Sequence, residues 1–188
     1  GVRPVSTEDP SESRPGASFR SELKIEEPIH VLGVEGEEAM SGLYQVEALI
    51  WTRKPLPGAV TSELLGSQAA IVLGPGEGEV LAGMVTRLTR VHMAGAAHHY
   101  RVRIEPVVGS LQHTVRSRIF LDVDVPTMVT RVLEEHGLGE DFVRPPHLQA
   151  TYEKRPYVAQ VDESDLAFVQ RWLAEEGLFT WFTQTNEG

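Results

Sequence analysis

Residues 162–181 read DESDLAFVQRWLAEEGLFTW, and the reading of this stretch decides the fold. Carboxylates beside two tryptophans and two phenylalanines fit an acid/base pair on a sugar platform as well as they fit an amphipathic helix. Spacing separates the two. Asp162, Glu163 and Asp165 stand at one end, where acidic side chains favour a helix dipole and where Asp162 or Ser164 can cap the free amides. Glu175 and Glu176 stand at the other end, about 15 Å away at helical rise, whereas a glycosidase pair needs roughly 5 to 10 Å. Leu166, Val169, Trp172 and Leu173 share one face of the helix with Phe168 at its edge, and Gln170, Arg171, Ala174 and Glu175 fall opposite. The aromatics are therefore expected to point inward. Gly177 supplies a left-handed stop, and Leu178, Thr180 and Phe182 then alternate with Phe179 and Trp181, which predicts a strand apolar on both faces.

The rest of the chain has the composition of an ordinary globular protein, with 41% hydrophobic and 23% charged residues over 188 positions, enough for one or two domains. Its net charge of −10 with dispersed basic residues argues against nucleic acid as a partner, since phosphate neutralisation needs concentrated Lys and Arg. Local basic spots such as Arg116 and Arg118 remain available to a protein interface. Without cysteine there is no disulfide, no thiolate nucleophile and no cysteine-ligated zinc. The apolar runs are short, and the first residues, GVRPVSTEDP, lack the basic start and apolar stretch of a secretory signal, so no membrane anchor is expected. The default address is the cytoplasm.

Residues 1–18 carry three prolines and little to bury, which predicts a disordered tail. Six short apolar stretches follow: LKI at 23, IHVLGV at 29, LYQVEALIW at 43, AAIVL at 69, VLAGMVTRL at 80 and HYRVRIEPVV at 99. Alternation is clearest where Tyr44, Val46 and Ala48 oppose Gln45 and Glu47, and where Tyr100, Val102 and Ile104 oppose Arg101, Arg103 and Glu105. With no helix-length segment to supply parallel crossovers, this predicts an antiparallel β-barrel or sandwich, with room for one helical turn at 60–66. The texture changes after residue 112. Asp124 and Pro126 open a helix, Met128, Val129, Val132 and Leu133 form its apolar stripe, and Gly137 stops it. Residues 139–156 read as a loop and 156–161 as a strand leading into the opening stretch.

Candidate chemistry is sparse. His92, His98 and His99 flank the small-residue stretch MAGAA, but no further ligand lies nearby, and a solvated hairpin tip is the simpler reading than a metal site. Gly74, Gly76 and Gly78 in LGPGEGEV look like a phosphate loop until one sees that no helix follows and that Glu77 and Glu79 would repel an anion. A hairpin turn fits better. GxSxG is absent, so no nucleophile stands in a recognised setting, and neither a catalytic residue nor a cofactor is assigned.

The two helical segments in their order carry a family resemblance. SRIFLDVDVPTMVTRVLEEHGL at 117–138 and PYVAQVDESDLAFVQRWLAEEGLFTWF at 156–182 resemble the VgrG spike proteins of type VI secretion systems and the related phage baseplate hub proteins. LYQVEALIW, LLGSQAAIVL, GMVTRL and YRVRIEPVVGSL occur upstream in the family's order, so the resemblance covers about residues 23–182. It implies a mainly β fold with helices: a barrel of the phage-hub type at 19–112, then an α/β connecting segment at 113–188 leading towards a second barrel in a longer protein. It also implies a homotrimer seated on a hexameric Hcp-like tube, with a PAAR-like tip and effectors carried by regions beyond this chain. Such a protein is cytoplasmic during assembly and is then injected into a target cell. The implied role is mechanical, with Pro126, Gly137, Asp162, Ser164, Leu166, Val169, Trp172, Leu173, Gly177, Phe179 and Trp181 as structural motif residues. A phage-tail or extracellular injection hub acting as a cargo adaptor is the alternative, and a hydrolase with converging acidic residues is a third.

If Trp172 packs inward as its spacing predicts, Trp172→Ala costs on the order of 3 to 5 kcal/mol of stability. Thermal denaturation checks this, and an unchanged melting temperature would contradict the packing assignment.

Overall fold

Alternation along residues 45–52 organises the first half of the molecule. In the computed structural model, which describes residues 16–37, 43–74, 78–93, 95–139, 151–180 and 182, Val46, Ala48, Ile50 and Thr52 point inward from one strand and their neighbours outward. The chain divides into two units, residues 1–106 with 182–188, and residues 107–181. The first contains β1 (Ala17–Ser21), β2 (His30–Glu37), β3 (Gln45–Thr52), α1 (Gly58–Leu64), β4 (Gln68–Leu73), β5 (Glu79–Val91) and β6 (His98–Glu105). The second contains a 3-10 segment (Val107–His113), β7 (Val115–Val123), α2 (Val125–Glu135), β8 (Arg155–Ser164) and α3 (Asp165–Glu175).

The first unit is one antiparallel sheet in the order β1-β4-β5-β6-β3-β2. On its inner face Val46, Ala48 and Ile50 of β3 stand directly opposite Ile104, Val102 and Tyr100 of β6, the cross-strand pairs that stabilise a sheet. On its outer face Glu47 accepts a 2.5 Å hydrogen bond from Arg103. The sheet curls because β5 is shared. Its first half pairs with β4 and its second with β6, Met84 pairing on both sides, and a register shift between Val85 and Arg87 absorbs the bend. Gly83 makes the close approach possible, since a Cβ there would stand 2.4 Å from the Glu105 carbonyl oxygen. The curl brings the edge strands β1 and β2 into contact around a core that includes Val31, Ile50, Leu64, Ile71, Val102 and Ile104. The result is a half-barrel.

Three expectations change here. The first strand is Ala17–Ser21, not LKI at 23; Leu23 and Ile25 lie in a connection and pack on the core from outside the sheet. Ala17 and Ser18, expected in the tail, pair with Leu73 and Val72; residues 1–15 lie outside those described. The length of the apolar run did not matter, because a strand forms where a partner edge exists. The expected strand after Gly177 is likewise absent from residues 178–180, and Phe179 is exposed. Alternation without a ladder partner does not make a strand. Phe182 packs edge-on to Tyr44 at 5.2 Å, and Trp181 lies outside the described residues.

In the second unit, β7 and β8 form a two-stranded antiparallel ribbon, and α2 and α3 each follow directly from one of its strands. β7 has no counterpart among the sequence expectations. Asp124 caps α2 by accepting a 2.8 Å hydrogen bond from the Thr127 amide, with Pro126 in the first turn. Hydrogen bonding to the Thr127 side chain, and then to its amide, holds the Asp124 carboxyl below its usual pKa range. Ser164, rather than Asp162, caps α3, accepting from the Ala167 amide. Both helices end alike. Gly137 and Gly177 adopt positive φ, and the following Leu138 and Leu178 amides bond back to the Leu133 and Leu173 carbonyls, the six-to-one closure of a Schellman motif. Phe168, expected at the edge of the apolar face, lies at its centre; it is fully buried and stacks on Phe120, whereas Leu166 and Leu173 are only partly buried.

Gly83→Ala is expected to cost about 1 to 3 kcal/mol, because the neighbouring backbone has to move. Urea unfolding measures it, and a variant as stable as the parent would refute the close-approach account.

Candidate functional site

The ribbon has two faces of opposite character. Along β7 the side chains of Arg116, Arg118 and Phe120 turn towards the helices, and along β8 those of Val158 and Gln160 do so. Val115, Ile119, Leu121, Tyr157 and Val161 turn the other way.

A buried carboxylate organises the inner face. Asp165, the first residue of α3, is completely inaccessible to solvent. Its Oδ1 accepts hydrogen bonds from Arg118 at 3.0 Å and from the Gln160 amide nitrogen at 2.7 Å. Its Oδ2 lies 2.7 Å from His136 Nε2 and 3.3 Å from Arg116 Nε. Arg118 Nε also donates to Gln160 Oε1 at 2.7 Å, and both arginines donate to Glu135 Oε2. Burial by itself would raise the Asp165 pKa, but the His136 and Gln160 hydrogen bonds and the two guanidinium charges outweigh it, and the carboxyl sits below its ordinary range. The cluster therefore joins β7, α2, β8 and α3 through one charge whose bonding positions are all used. Its chemistry is that of a scaffold rather than of a base waiting for a proton. This corrects two readings. Asp165 is not a solvated helix cap, and Arg116 and Arg118 are not free spots for a partner.

Position in the chain explains why a carboxylate is buried here. Forty residues separate Asp122 from Asp162, Val129 from Val169, Arg131 from Arg171, Leu133 from Leu173, Glu135 from Glu175, Gly137 from Gly177 and Leu138 from Leu178. Asp122 and Asp162 share a positive φ of 48°, two residues before each helix cap. β7–α2 and β8–α3 are thus copies of one strand–helix unit. Their register places the local twofold at the Ile119–Ala159 pair, which are also forty apart and directly opposed. In that frame Asp165 occupies the place of Val125, a fully buried position. The forty-residue offset was the signal that one-helix reasoning missed.

The outer face is apolar and open. Val115, Ile119, Leu121, Tyr157 and Val161 are between 59% and 70% exposed, Ser117 and Ala159 lie among them, and the exposed Asp162 adjoins Ser117. Single exposed apolar residues are ordinary, but five on one ribbon face form a patch of the kind that marks an interaction site. The other motif residues divide between packing and surface. Val169 and Trp172 are buried, Arg155 lies over the Trp172 ring at 4.7 Å and donates to Glu176, and Asp162 is exposed at the register shift, its amide bonded to Ser117 Oγ.

Elsewhere the histidines diverge. His92 is exposed, His98 Nδ1 lies 2.9 Å from an Arg90 nitrogen, and His99 is buried in the sheet opposite Trp51. Among the described residues no three His, Asp or Glu side chains gather as a metal-binding group.

Comparison with known proteins gives a consistent picture. Residues 37–188 match the family described as phage tail baseplate hub (GPD). The type VI secretion system spike protein VgrG4b of Pseudomonas aeruginosa is 32% identical over 159 residues, 85% of this chain and 19% of that protein. The spike protein VgrG5 of the same organism is 33% identical over 160 residues, 83% of this chain and 20% of that protein. This chain thus spans about a fifth of the length of the curated relatives it matches. Among solved structures, the c3393 protein of Escherichia coli is similar in fold, with a TM-score of 0.72 at 24% identity over 84% of this chain and 43% of that one. That protein is described as a type VI secretion component with structural similarity to the bacteriophage T4 tail proteins gp27 and gp5.

Removing the buried charge tests the scaffold. Asp165→Ala removes the acceptor that Arg118 and Gln160 share and the negative charge beside Arg116 and His136, and is expected to cost about 3 to 5 kcal/mol. Because folding lowers the Asp165 pKa, its contribution is present above the unfolded value near pH 4 and is lost as pH falls through the folded value. The stability gap between parent and Asp165→Asn should therefore shrink on acidification below about pH 4, as read by urea midpoints. A gap that stays constant down to about pH 2 would contradict this.

Proposed function

The chain belongs to the phage tail baseplate hub (GPD) family, and from that membership we propose that it is the hub region of a puncturing spike in a contractile injection apparatus of the type VI secretion kind. In this reading the half-barrel is the first hub barrel, and the strand–helix pair is the connecting segment towards a second. Three copies assemble and seat on a hexameric inner-tube protein. Tip and effector proteins are carried by regions beyond the residues described here. The protein assembles in the cytoplasm and leaves with the tube. No helix among the described residues is long and apolar enough to cross a membrane.

The observation that carries the reading is the hub-family match across both units of the fold. The physics agrees with a mechanical role. Asp165 uses its bonding capacity inside the protein, and five of the exposed large apolar side chains share one face of the ribbon. A hub of a phage tail or of an extracellular injection particle is the second reading, which the family description itself favours. A gene neighbourhood encoding a membrane complex separates the two.

Mixing the purified protein with preformed inner-tube hexamers tests the proposal. Co-elution of hub and tube at micromolar concentration is the expected result. Failure to bind at roughly 100 µM, about 5.5 kcal/mol of binding free energy, would count against it.

A further inference from the structure

We propose that the cavity between α1 and the β5–β6 ladder is a binding site for a carboxylate carried on a short apolar group, the last residue of a polypeptide or a free branched-chain acid. This assignment is independent of the hub reading.

The cavity has a volume of about 330 Å³, at the small end of the range for ligand sites. Its walls are apolar, formed by Pro55 and Leu56 of the loop before α1, Leu65 just after that helix and Leu88 of β5. Arg90 and Tyr100 also line it and stand directly opposite each other on β5 and β6, which places their Cβ atoms about 5 Å apart. No aspartate or glutamate lines the cavity, so its one formal charge is positive.

Both donors are held in place with bonding capacity left over. Arg103, Arg118, Arg155 and Arg171 each pair with a carboxylate. Arg90 instead donates to His98 Nδ1 at 2.9 Å, and among the described residues no carboxylate pairs with it. The imidazole orients the guanidinium without neutralising it and leaves most of its N–H groups for a ligand. Tyr100 is 4% exposed, and its hydroxyl oxygen accepts a 2.9 Å hydrogen bond from the Leu56 amide. The hydroxyl proton has no acceptor among the described residues. A buried O–H donor beside an unneutralised guanidinium suits a carboxylate, whose two oxygens give each donor an acceptor. The Leu56 bond also fixes the loop wall, and the Lys54 amide ties down the same loop by donating to Glu27 Oε1 at 2.9 Å, so little is left to order on binding. The leucines set what the carboxylate is attached to. An alkyl group covers Leu65, which is 47% exposed, and Leu88, whereas an inorganic anion leaves them in water.

The test titrates three probes into the isotope-labelled protein and follows amide chemical shifts: acetyl-glycyl-leucine, the same dipeptide as its C-terminal amide, and isocaproate. The dipeptide acid should bind saturably and move the amides of Leu56, Ser62, Leu65 and Arg90, and the dipeptide amide should bind roughly tenfold more weakly. Arg90→Gln should weaken the acid by a similar factor. Arg87→Gln removes the same charge from an exposed position of the same strand outside the cavity, and should leave binding unchanged. Isocaproate binding as tightly as the dipeptide acid identifies the source as a free acid, and binding of the dipeptide acid alone identifies a polypeptide end. Equal binding of acid and amide, equal binding of the acid to the parent and to Arg90→Gln, or no saturable shift up to about 10 mM would overturn the proposal and leave the hub reading untouched.

Discussion

Everything in the second unit depends on one buried negative charge. Asp165 is withdrawn from water at the start of α3, and that position is tolerable only because Arg118, Arg116, His136 and Gln160 converge on its two oxygens. The partners come from both strands of the ribbon and from the end of the preceding helix, so the carboxylate registers four elements against one another at once. An apolar residue could fill the same space, as Val125 does in the sister unit, but it would not specify which way the two arginines face. With them drawn inward, the ribbon's other face is left mainly to apolar side chains. Inner order and outer character are consequences of the same bonds.

The sheet of the first unit follows a different constraint, the length of β5. A thirteen-residue strand that pairs with β4 at one end and β6 at the other has to bend, and Gly83 and the irregularity before Arg87 are where it does so. The inward rows on β3 and β6 were legible in the sequence, since alternation of Val46, Ala48 and Ile50 against their outward neighbours needs no knowledge of the partner strand. The identity of the first strand was not. Leu23–Ile25 is more apolar than Ala17–Ser21, yet only the latter meets the free edge of β4, and pairing is a property of the fold rather than of the segment.

In the second unit the caps were legible and the centre was not. Asp124, Pro126, Gly137, Ser164 and Gly177 act locally, through amides a few residues away, and their meaning survives without tertiary context. Asp165 was misread for the same reason. Judged locally, an acidic residue in the first turn of a helix is a dipole partner facing water; only the forty-residue correspondence with Val125 reveals it as an inward position. β7 was missed because its polarity is inverted, with Arg116 and Arg118 inward beside Phe120 and Val115, Ile119 and Leu121 outward, so the usual alternation gives no strand to read. That failure of pattern is itself informative. A strand with its arginines turned inward and its apolar side chains in water reverses the usual order, and such a face is of the kind that marks an interaction site.

If one buried carboxylate registers the ribbon against both helices, amide hydrogen exchange followed by mass spectrometry, run on the parent and on Asp165→Asn, tests it most directly. The amides of Val115–Val123 and Arg155–Ser164 should exchange faster in the variant, while those of β3 and β6 keep their rates. Ribbon amides that exchange at the parental rate in a folded Asp165→Asn variant would contradict it.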